Sequence, residues 1–268
     1  MKTLAAAALA LGLAALAGSA AAQQPAAAPL TFDATYSVIG RGMNVGDFNY
    51  HFQRTGGGYQ ATATRVMTGW VGGALNHSQD FRYAVRGAVA ADGSLHPSAY
   101  EHQGGRRAAD RPQGKLIRAA FTAEDVVTTA TPGRANMGDP PATPAQRRGV
   151  IDQITAIAAL ITESNDPCGQ TLHVYMDGRA RFDFAMRAGT AVNINSPAYR
   201  GPGVRCTVDF RPIAGFGDHQ DAATLTFIIS NPGPGGARAP ITIEMPTDGF
   251  GVVRLEARRV TINGTRLR

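Results

Sequence analysis

The sequence predicts a mainly β protein, built as a large curved antiparallel sheet that forms a barrel or half-barrel, with one main α-helix near residues 144–162. Apolar and polar residues alternate with a period of two through much of the chain, which is typical of strands with one buried face. A single segment spaces its apolar residues by three and four, which is typical of a helix. The number of predicted strands then requires the sheet to curve.

The N-terminal residues are typical of a secretory signal peptide. Lys2 precedes an uninterrupted run of Ala, Leu and Gly, and small residues of the A-x-A type follow up to Ala22. This pattern predicts residues 1–22 as a signal peptide, with a weak membrane anchor as the less favoured alternative because the run is shorter than the ~20 residues that span a bilayer. Residues 23–29 are expected to be a flexible leader without a Cys for lipid attachment, and 30–268 a single domain. The expected location is the periplasm.

Three strands open this domain as an antiparallel meander. Apolar residues alternate with polar ones from Phe32 to Val38, from Phe48 to Phe52 and from Tyr59 to Ala63, and glycine-rich segments separate these runs. Glycine clusters between alternating runs predict tight turns.

The same pattern returns in the second half of the chain. Residues 172–176 and 182–186 flank Asp177-Gly178, a strong hairpin signal. Further strands are predicted at 204–210, 225–229, 241–245, 252–257 and 260–262.

The predicted helix covers the segment that breaks this alternation. Its apolar residues run from Val150 to Ile161 at helical spacing. Thr143 is a suitable N-cap, with Pro144 at the first helical position.

The width of the predicted sheet constrains the architecture. About ten or eleven strands at ~4.8 Å spacing form a sheet roughly 50 Å wide, and one helix about 10 Å across cannot cover it. The sheet must therefore curl with the helix as plug or lid, unless something else covers it. A partly open concave face would be a natural ligand site, whereas a filled core is the alternative that base rates for small domains favour.

The two cysteines predict a disulfide. An even pair in an oxidising compartment is expected to be bonded, and Cys206 shares an apolar strand face with Val204 and Val208. The Cys168–Cys206 bond should therefore lie inside the fold.

Several short segments carry a resemblance to a known family. They are Tyr36 to Ile39 with the turn at Gly46, Tyr59 to Gly69, Leu95 to Tyr100, Val150 to Asp152, Asp177 to Arg179, and Cys206 to Phe216. On these segments the chain resembles the DUF3108 family of exported bacterial proteins, whose function is unknown. The resemblance implies a periplasmic location and a long-stranded β fold, and it carries over no catalytic residue.

Motifs for catalysis or cofactor binding are not found in the sequence. The six histidines lack the spacing of a metal site, and no G-x-S-x-G elbow is present. His77, Ser78 and Asp80 share one predicted strand, where adjacent side chains point to opposite faces. We therefore expect no metal, no cofactor and no enzymatic activity. A glycosidase pair drawn from Asp33, Asp47 and Glu101 stays open, because such pairs are non-local.

Arginine dominates the positive charge of the chain, whose formal net charge is +6. Clusters lie at 106–111, 147–148 and 254–268. A solvated surface is the simpler interpretation, and contact with anionic envelope components is the sharper one. Export makes nucleic acid an unexpected partner.

These observations favour a non-enzymatic binding or carrier module of the cell envelope, for a lipid or other amphiphile. A structural or assembly factor that contacts an envelope protein is the alternative, and an enzyme acting on glycans or lipids is a third hypothesis. No transmembrane segment is expected in the mature chain. The first hypothesis predicts a cavity lined by Phe48, Tyr50, Phe52, Trp70, Ile154, Phe182 and Phe184. Trp70, on a Gly-flanked segment, is either a lip residue of this cavity or a core anchor.

Overall fold

The computed structural model describes residues 28–67, 81–104, 114–133, 138–162, 166–217, 221–247 and 251–268. The predicted signal peptide and the leader up to residue 27 lie outside these ranges. Within the described residues, no helix is both long and apolar enough to cross a membrane.

Strands make up most of the described chain. They are β1 (Leu30–Gly40), β2 (Met43–Thr55), β3 (Gly58–Met67), β4 (Phe81–Val89), β5 (Leu95–Gly104), β6 (Lys115–Phe121), β7 (Val126–Thr131), β8 (Thr171–Met176), β9 (Ala180–Asn195), β10 (Arg200–Ala214), β11 (Ala223–Ser230), β12 (Pro240–Thr247), β13 (Gly251–Ile262) and β14 (Thr265–Arg266). The α-helix of the described residues is α1 (Gln153–Thr162).

All these strands belong to one antiparallel sheet formed by two meanders. The first runs from β1 to β7, the second from β8 to β13, and the pairing of β1 with β13 joins them. The sheet order is β7-β6-β5-β4-β3-β2-β1-β13-β12-β11-β10-β9-β8, so β7 and β8 form its two edges. The predicted fold class, a large curved antiparallel sheet with one main helix, is confirmed.

The sheet curls until its two edges approach each other. A Cβ atom added to Gly178, in the β8–β9 turn, would overlap the side chain of Thr128 on β7. The connection between the meanders follows the same seam, where Arg147 Nε donates to Asp125 Oδ1 at 2.7 Å. Side chains and this connection thus bridge the two edges of an open sheet, whose edge strands β7 and β8 are not neighbours in its hydrogen-bonded order.

Two differences from the predicted strands have local causes. The single strand β13 replaces the separate strands predicted at 252–257 and 260–262, because a bulge inserts Arg258 opposite the Thr35–Tyr36 step of β1. An inserted residue shifts the alternation by one position, which makes one strand look like two. The structure also contains β4 to β7 between residues 81 and 131, a region without a predicted strand.

The helix begins nine residues later than predicted. Thr143 and Gln146 cap a single 3₁₀ turn at Ala145–Arg147. Gly149, at φ +65°, then ends the helical path. Ile151 next pairs in parallel with Val174 of β8. The N-cap of α1 is Asp152, whose Oδ1 accepts from the backbone N–H groups of Ile154 and Thr155.

The concave face of the sheet surrounds α1. Seven of the ten helix residues are buried. Six of them belong to two apolar clusters, one formed mainly with β1–β7, β12 and β13 and the other with β8–β11. The predicted disulfide is confirmed: Cys168 and Cys206 are fully buried in the second cluster, with their Cα atoms 5.3 Å apart.

Candidate functional site

An apolar cavity of about 300 Å³ lies on the concave face beside α1. Its lining comes from both meanders and from one side of the helix. The lining residues are Val38, Phe48, Arg65, Tyr83, Gln153, Ile154, Ala156, Ile157, Leu160, Leu172, Phe184, Phe227, Ile243, Met245, Val253 and Leu255. The cavity lies beside the only α-helix of the described residues because one helix is too narrow to fill the space across the sheet.

Strand register places these side chains on one wall. Val38 of β1 faces Leu255 of β13, which in turn faces Ile243 of β12. Ile243 then faces Phe227 of β11. Directly paired residues of adjacent strands point to the same face, so this row forms a continuous hydrocarbon surface.

Much of this apolar surface is not covered by the protein itself. The partly exposed apolar side chains of the lining are Val38, Ile157, Phe184, Ile243, Met245, Val253 and Leu255. Apolar side chains gain free energy when they leave water, by about 25 cal/mol per Å². A ligand that covered this wall would supply the missing contact.

The polar side chains of the lining are Arg65, Tyr83 and Gln153. Burial raises the pKa of Tyr83 to about 12, and nearby Asp177 adds to this increase while Arg65 opposes it. Tyr83 is therefore a neutral phenol that can donate a hydrogen bond. Arg65 supplies the positive charge.

A buried polar cluster, here called the seam cluster, lies next to this wall. It consists of Tyr100, His102, Gln153 and Asp177. Asp177 Oδ1 accepts from Tyr100 Oη at 2.6 Å and from Gln153 Nε2 at 3.1 Å, and it lies 3.0 Å from His102 Nδ1. The ring of His102 stacks on Tyr83, with 4.5 Å between centroids. The cluster thus joins β5, α1 and the β8–β9 turn.

Hydrogen bonds keep Asp177 ionised despite its burial. Burial alone would raise its pKa, but the hydrogen bond and charge of His102 outweigh that effect, and Tyr100 and Gln153 assist. The pKa of Asp177 is therefore below its usual value. Burial and the neighbouring Asp177 raise the pKa of Tyr100 well above its ordinary value, so this phenol stays protonated and donates.

The structure brings three of the residues predicted to line a cavity into this one. They are Phe48, Ile154 and Phe184. Tyr50, Phe52 and Phe182 also face inward, but they are at most 5% exposed and pack inside the two clusters. Trp70 lies outside the described residues, as do His77, Ser78 and Asp80.

The polar candidates from the sequence lie elsewhere. Asp33 pairs with His51 at 2.7 Å on the exposed side of the sheet. Glu101 pairs there with Arg118 at 2.9 Å. Asp47 is half-buried on β2. Asp33 and Glu101 thus face solvent rather than the cavity, and within the described ranges no three His, Cys, Asp or Glu side chains are grouped to hold a metal ion.

Sequence reasoning missed the polar side chains of the wall. Arg65 continues the inward phase of Tyr59, Ala61 and Ala63, so extending that alternation by one step would have found it. The seam cluster left no such signal, because its members come from distant parts of the chain.

A larger groove of about 720 Å³ lies along the seam, lined by residues of the turns around Gly57, His96 and Thr122 and by Val150 and His173. Its walls mix loops, polar side chains and backbone. The cavity beside α1 is the better ligand site, since such sites are mostly apolar with a few polar groups.

Comparison with known proteins gives one distant structural likeness. No protein-family model and no curated protein matches the sequence. Among solved structures, a β-barrel-like protein of the domain of unknown function DUF1849 from Brucella abortus is similar, with 11% sequence identity and a TM-score of 0.45. The match covers 89% of this chain and 99% of that one.

Proposed function

We propose that this protein is a non-enzymatic binding module of the cell envelope, which takes the apolar part of a lipid or other amphiphile into the cavity beside α1. The observation that carries the proposal is the partly exposed hydrocarbon wall formed by Val38, Ile243, Leu255 and their neighbours. A purely structural core would cover such a wall with its own side chains.

The size of the cavity agrees with this role. Pockets that bind small molecules measure about 300–1,000 Å³, and this one lies at the lower end with about 300 Å³. It is therefore suited to one hydrocarbon chain or a compact amphiphile.

Two features support an exported protein. The buried Cys168–Cys206 disulfide forms readily in the oxidising environment outside the cytoplasm. The residues preceding position 23 have the pattern of a signal peptide. We therefore propose a periplasmic location and a place among DUF3108-like exported proteins.

Binding rather than catalysis is proposed because of the polar groups available. Among the described lining residues, the cavity presents one cation, one phenol and one amide, without a carboxylate or imidazole in its wall. An acid–base pair would be needed for hydrolysis of a glycan or lipid ester.

Binding of the uncharged fluorescent probe N-phenyl-1-naphthylamine tests this proposal. The wild-type protein should bind the probe with increased fluorescence. Ile157→Trp adds bulk at a helix position of the cavity and should weaken binding at least about tenfold, since a tenfold loss corresponds to only ~1.4 kcal/mol of lost contact.

Val127→Trp is the matched control, because Val127 lies on β7 with 63% of its surface exposed. This variant should bind the probe like the wild type. Failure of the wild type to bind, or equal binding by Ile157→Trp, would contradict the proposed cavity. Mass spectrometry of protein from a periplasmic extract then identifies any co-purified amphiphile, and a co-purified envelope protein instead would favour the assembly-factor alternative.

A further inference from the structure

Arg65 is a charged residue in an otherwise apolar row of inward-facing side chains. Across β1 to β4 this row contains Tyr36, Phe48, Arg65 and Phe81, which are paired in register. β3 is an interior strand between β2 and β4. Inward-facing charges in the interior of a sheet are rare unless they are paired, so the position of Arg65 requires an explanation.

Arg65 lacks the partners that such a side chain normally has. Its Nε is buried and has no hydrogen-bond partner, and among the described residues no carboxylate lies within the 4.0 Å of a salt bridge. Its guanidinium carbon lies 4.1 Å from the centroid of the Phe81 ring. A cation–π contact accounts for the face of the guanidinium but supplies no hydrogen-bond acceptor for the buried Nε.

Arg181 shows how the same protein satisfies a buried arginine. Its guanidinium donates to Asp183 Oδ1 at 2.6 Å and to the carbonyl of Gln146 at 2.8 Å. Buried polar groups are normally satisfied in this way. Arg65 is only partly buried, and the described residues supply no acceptor for its buried Nε.

We propose that the ligand is an anionic amphiphile with one hydrocarbon chain, whose carboxylate or phosphate head group is bound by Arg65. This inference rests on the proposed function and specifies its ligand class. A guanidinium matches both head groups through paired N–H donors. The neutral phenol of Tyr83 supplies a further donor in the same wall.

The negative charge of Asp177 does not cancel this preference. Its carboxylate already accepts hydrogen bonds within the seam cluster, whereas Arg65 has no anionic partner there. The chain of the ligand would then lie against Ile157 and the row from Val38 to Phe227.

Displacement of N-phenyl-1-naphthylamine by three ligands of equal chain length tests the inference. Laurate carries a carboxylate, lauryl phosphate a phosphate, and lauryl alcohol no charge. The wild type should bind at least one anionic ligand about ten- to a hundredfold more tightly than lauryl alcohol, the range expected for charge-assisted hydrogen bonds. The tighter of the two anions identifies the head group.

Arg65→Gln should remove this advantage, lowering the affinity for laurate or lauryl phosphate far more than the affinity for lauryl alcohol. Arg65→Lys, which keeps the charge but not the paired donors, should give an intermediate value. Arg82→Gln is the matched control, because Arg82 is exposed on the neighbouring strand β4 and its loss changes the net charge equally. Circular dichroism and thermal unfolding confirm that each variant is folded.

The outcomes separate the two proposals. Equal affinity of the wild type for laurate, lauryl phosphate and lauryl alcohol would overturn the head-group assignment while the cavity stands, even if Arg65→Gln does not fold. An anionic preference that survives in folded Arg65→Gln would also overturn it. Absence of probe binding by the wild type would instead refute the proposed function.

Discussion

The two meanders contact the same helix through different sets of side chains. The first meander, β1–β7, contacts α1 through directed hydrogen bonds: Tyr50 Oη donates to the carbonyl of Ile154 at 3.0 Å, and Tyr59 Oη lies 2.8 Å from Thr155 Oγ1. The second meander, β8–β13, packs hydrocarbon and aromatic side chains around the disulfide against Ala156, Ala159 and Leu160. It adds two hydrogen bonds to α1, from Gln153 Nε2 to Asp177 Oδ1 and from the backbone N–H of Arg238 to the carbonyl of Ile161.

The aromatic packing of the second meander is dense. Its Phe182 ring lies 4.9 Å from that of Phe184 and 5.1 Å from that of Phe210, and Phe184 lies 5.8 Å from Phe227. Such contacts depend little on direction, whereas a hydrogen bond fixes both distance and angle. The tyrosine hydroxyls of the first meander therefore fix the orientation of the helix, while apolar clusters on both sides pack against it, one around Ile154, Ala158 and Ile161 and the other around Ala156, Ala159 and Leu160.

The cavity lies between the contacts that the first meander and the second meander make with α1. The strand residues Arg65 and Tyr83, which are polar, belong to the first meander, and most of the hydrocarbon wall, including Phe184 and Phe227, belongs to the second. A ligand with a polar head and an apolar chain has the same division.

Removal of the disulfide should give the largest effect and tests the second meander. Cys168→Ala with Cys206→Ala should lower the free energy of unfolding by about 2–4 kcal/mol, because a loop with a sequence separation of 38 residues is no longer closed. Denaturant unfolding without reductant measures this loss. Reductant should destabilise the wild type similarly and leave the double variant unchanged, and equal stability of both proteins would show that the packing alone suffices.

The seam cluster should make stability depend on acidity. The pKa of Asp177 is lower in the folded protein than its ordinary value of 3.8, so the unfolded chain binds more protons between the two values. Stability therefore rises with pH through this interval and is lost as pH falls through the folded pKa. Asp177→Asn should remove this part of the pH dependence and cost about 1–3 kcal/mol at neutral pH.

Comparison with Asp33→Asn isolates this effect, because the side chain of Asp33 is 54% exposed. That control should change the free energy of unfolding by less than about 0.5 kcal/mol. Other carboxylates with lowered pKa values, Asp92, Asp125 and Asp183, contribute equally to wild type and variants. Identical pH profiles for wild type and Asp177→Asn would contradict the role assigned to the seam cluster.

The smallest expected effect concerns a single hydroxyl of the first meander. Tyr50→Phe removes the donor to Ile154 without changing the ring and should destabilise the protein by about 1 kcal/mol. Tyr199→Phe, which loses an exposed bond to Pro202 of 2.9 Å, should have little effect in the same denaturant titration. A larger loss for Tyr199→Phe would show that burial does not govern these bonds.

The predictability of the fold differs from that of the site for a physical reason. Alternation of apolar residues is a local signal, and it correctly places Phe32, Tyr50 and Cys206 on the inner face. The predicted start of the helix is wrong because Gly149 and the pairing of Ile151 with Val174 override the apolar spacing.

The seam cluster cannot be predicted in this way. Tyr100 and Asp177 lie 77 residues apart in sequence, and only the curvature of the whole sheet brings them together. The local signal at Asp177-Gly178 predicts the turn, but the contact of that turn with β5 depends on where the sheet ends. Arg65 lies between these cases, because its inward position follows from the alternation while its lack of a partner requires the folded structure.

The open order of the sheet has a consequence for the interior. In a closed barrel the number of strands and their stagger fix the radius. Here β7 and β8 are the edges of the sheet, and hydrogen bonds of side chains such as Asp177 and Arg147 join the regions next to these edges. Because the hydrogen-bonded order does not join these two edges, the girth of the interior is set by the side-chain contacts between them rather than by a closed ladder of backbone hydrogen bonds.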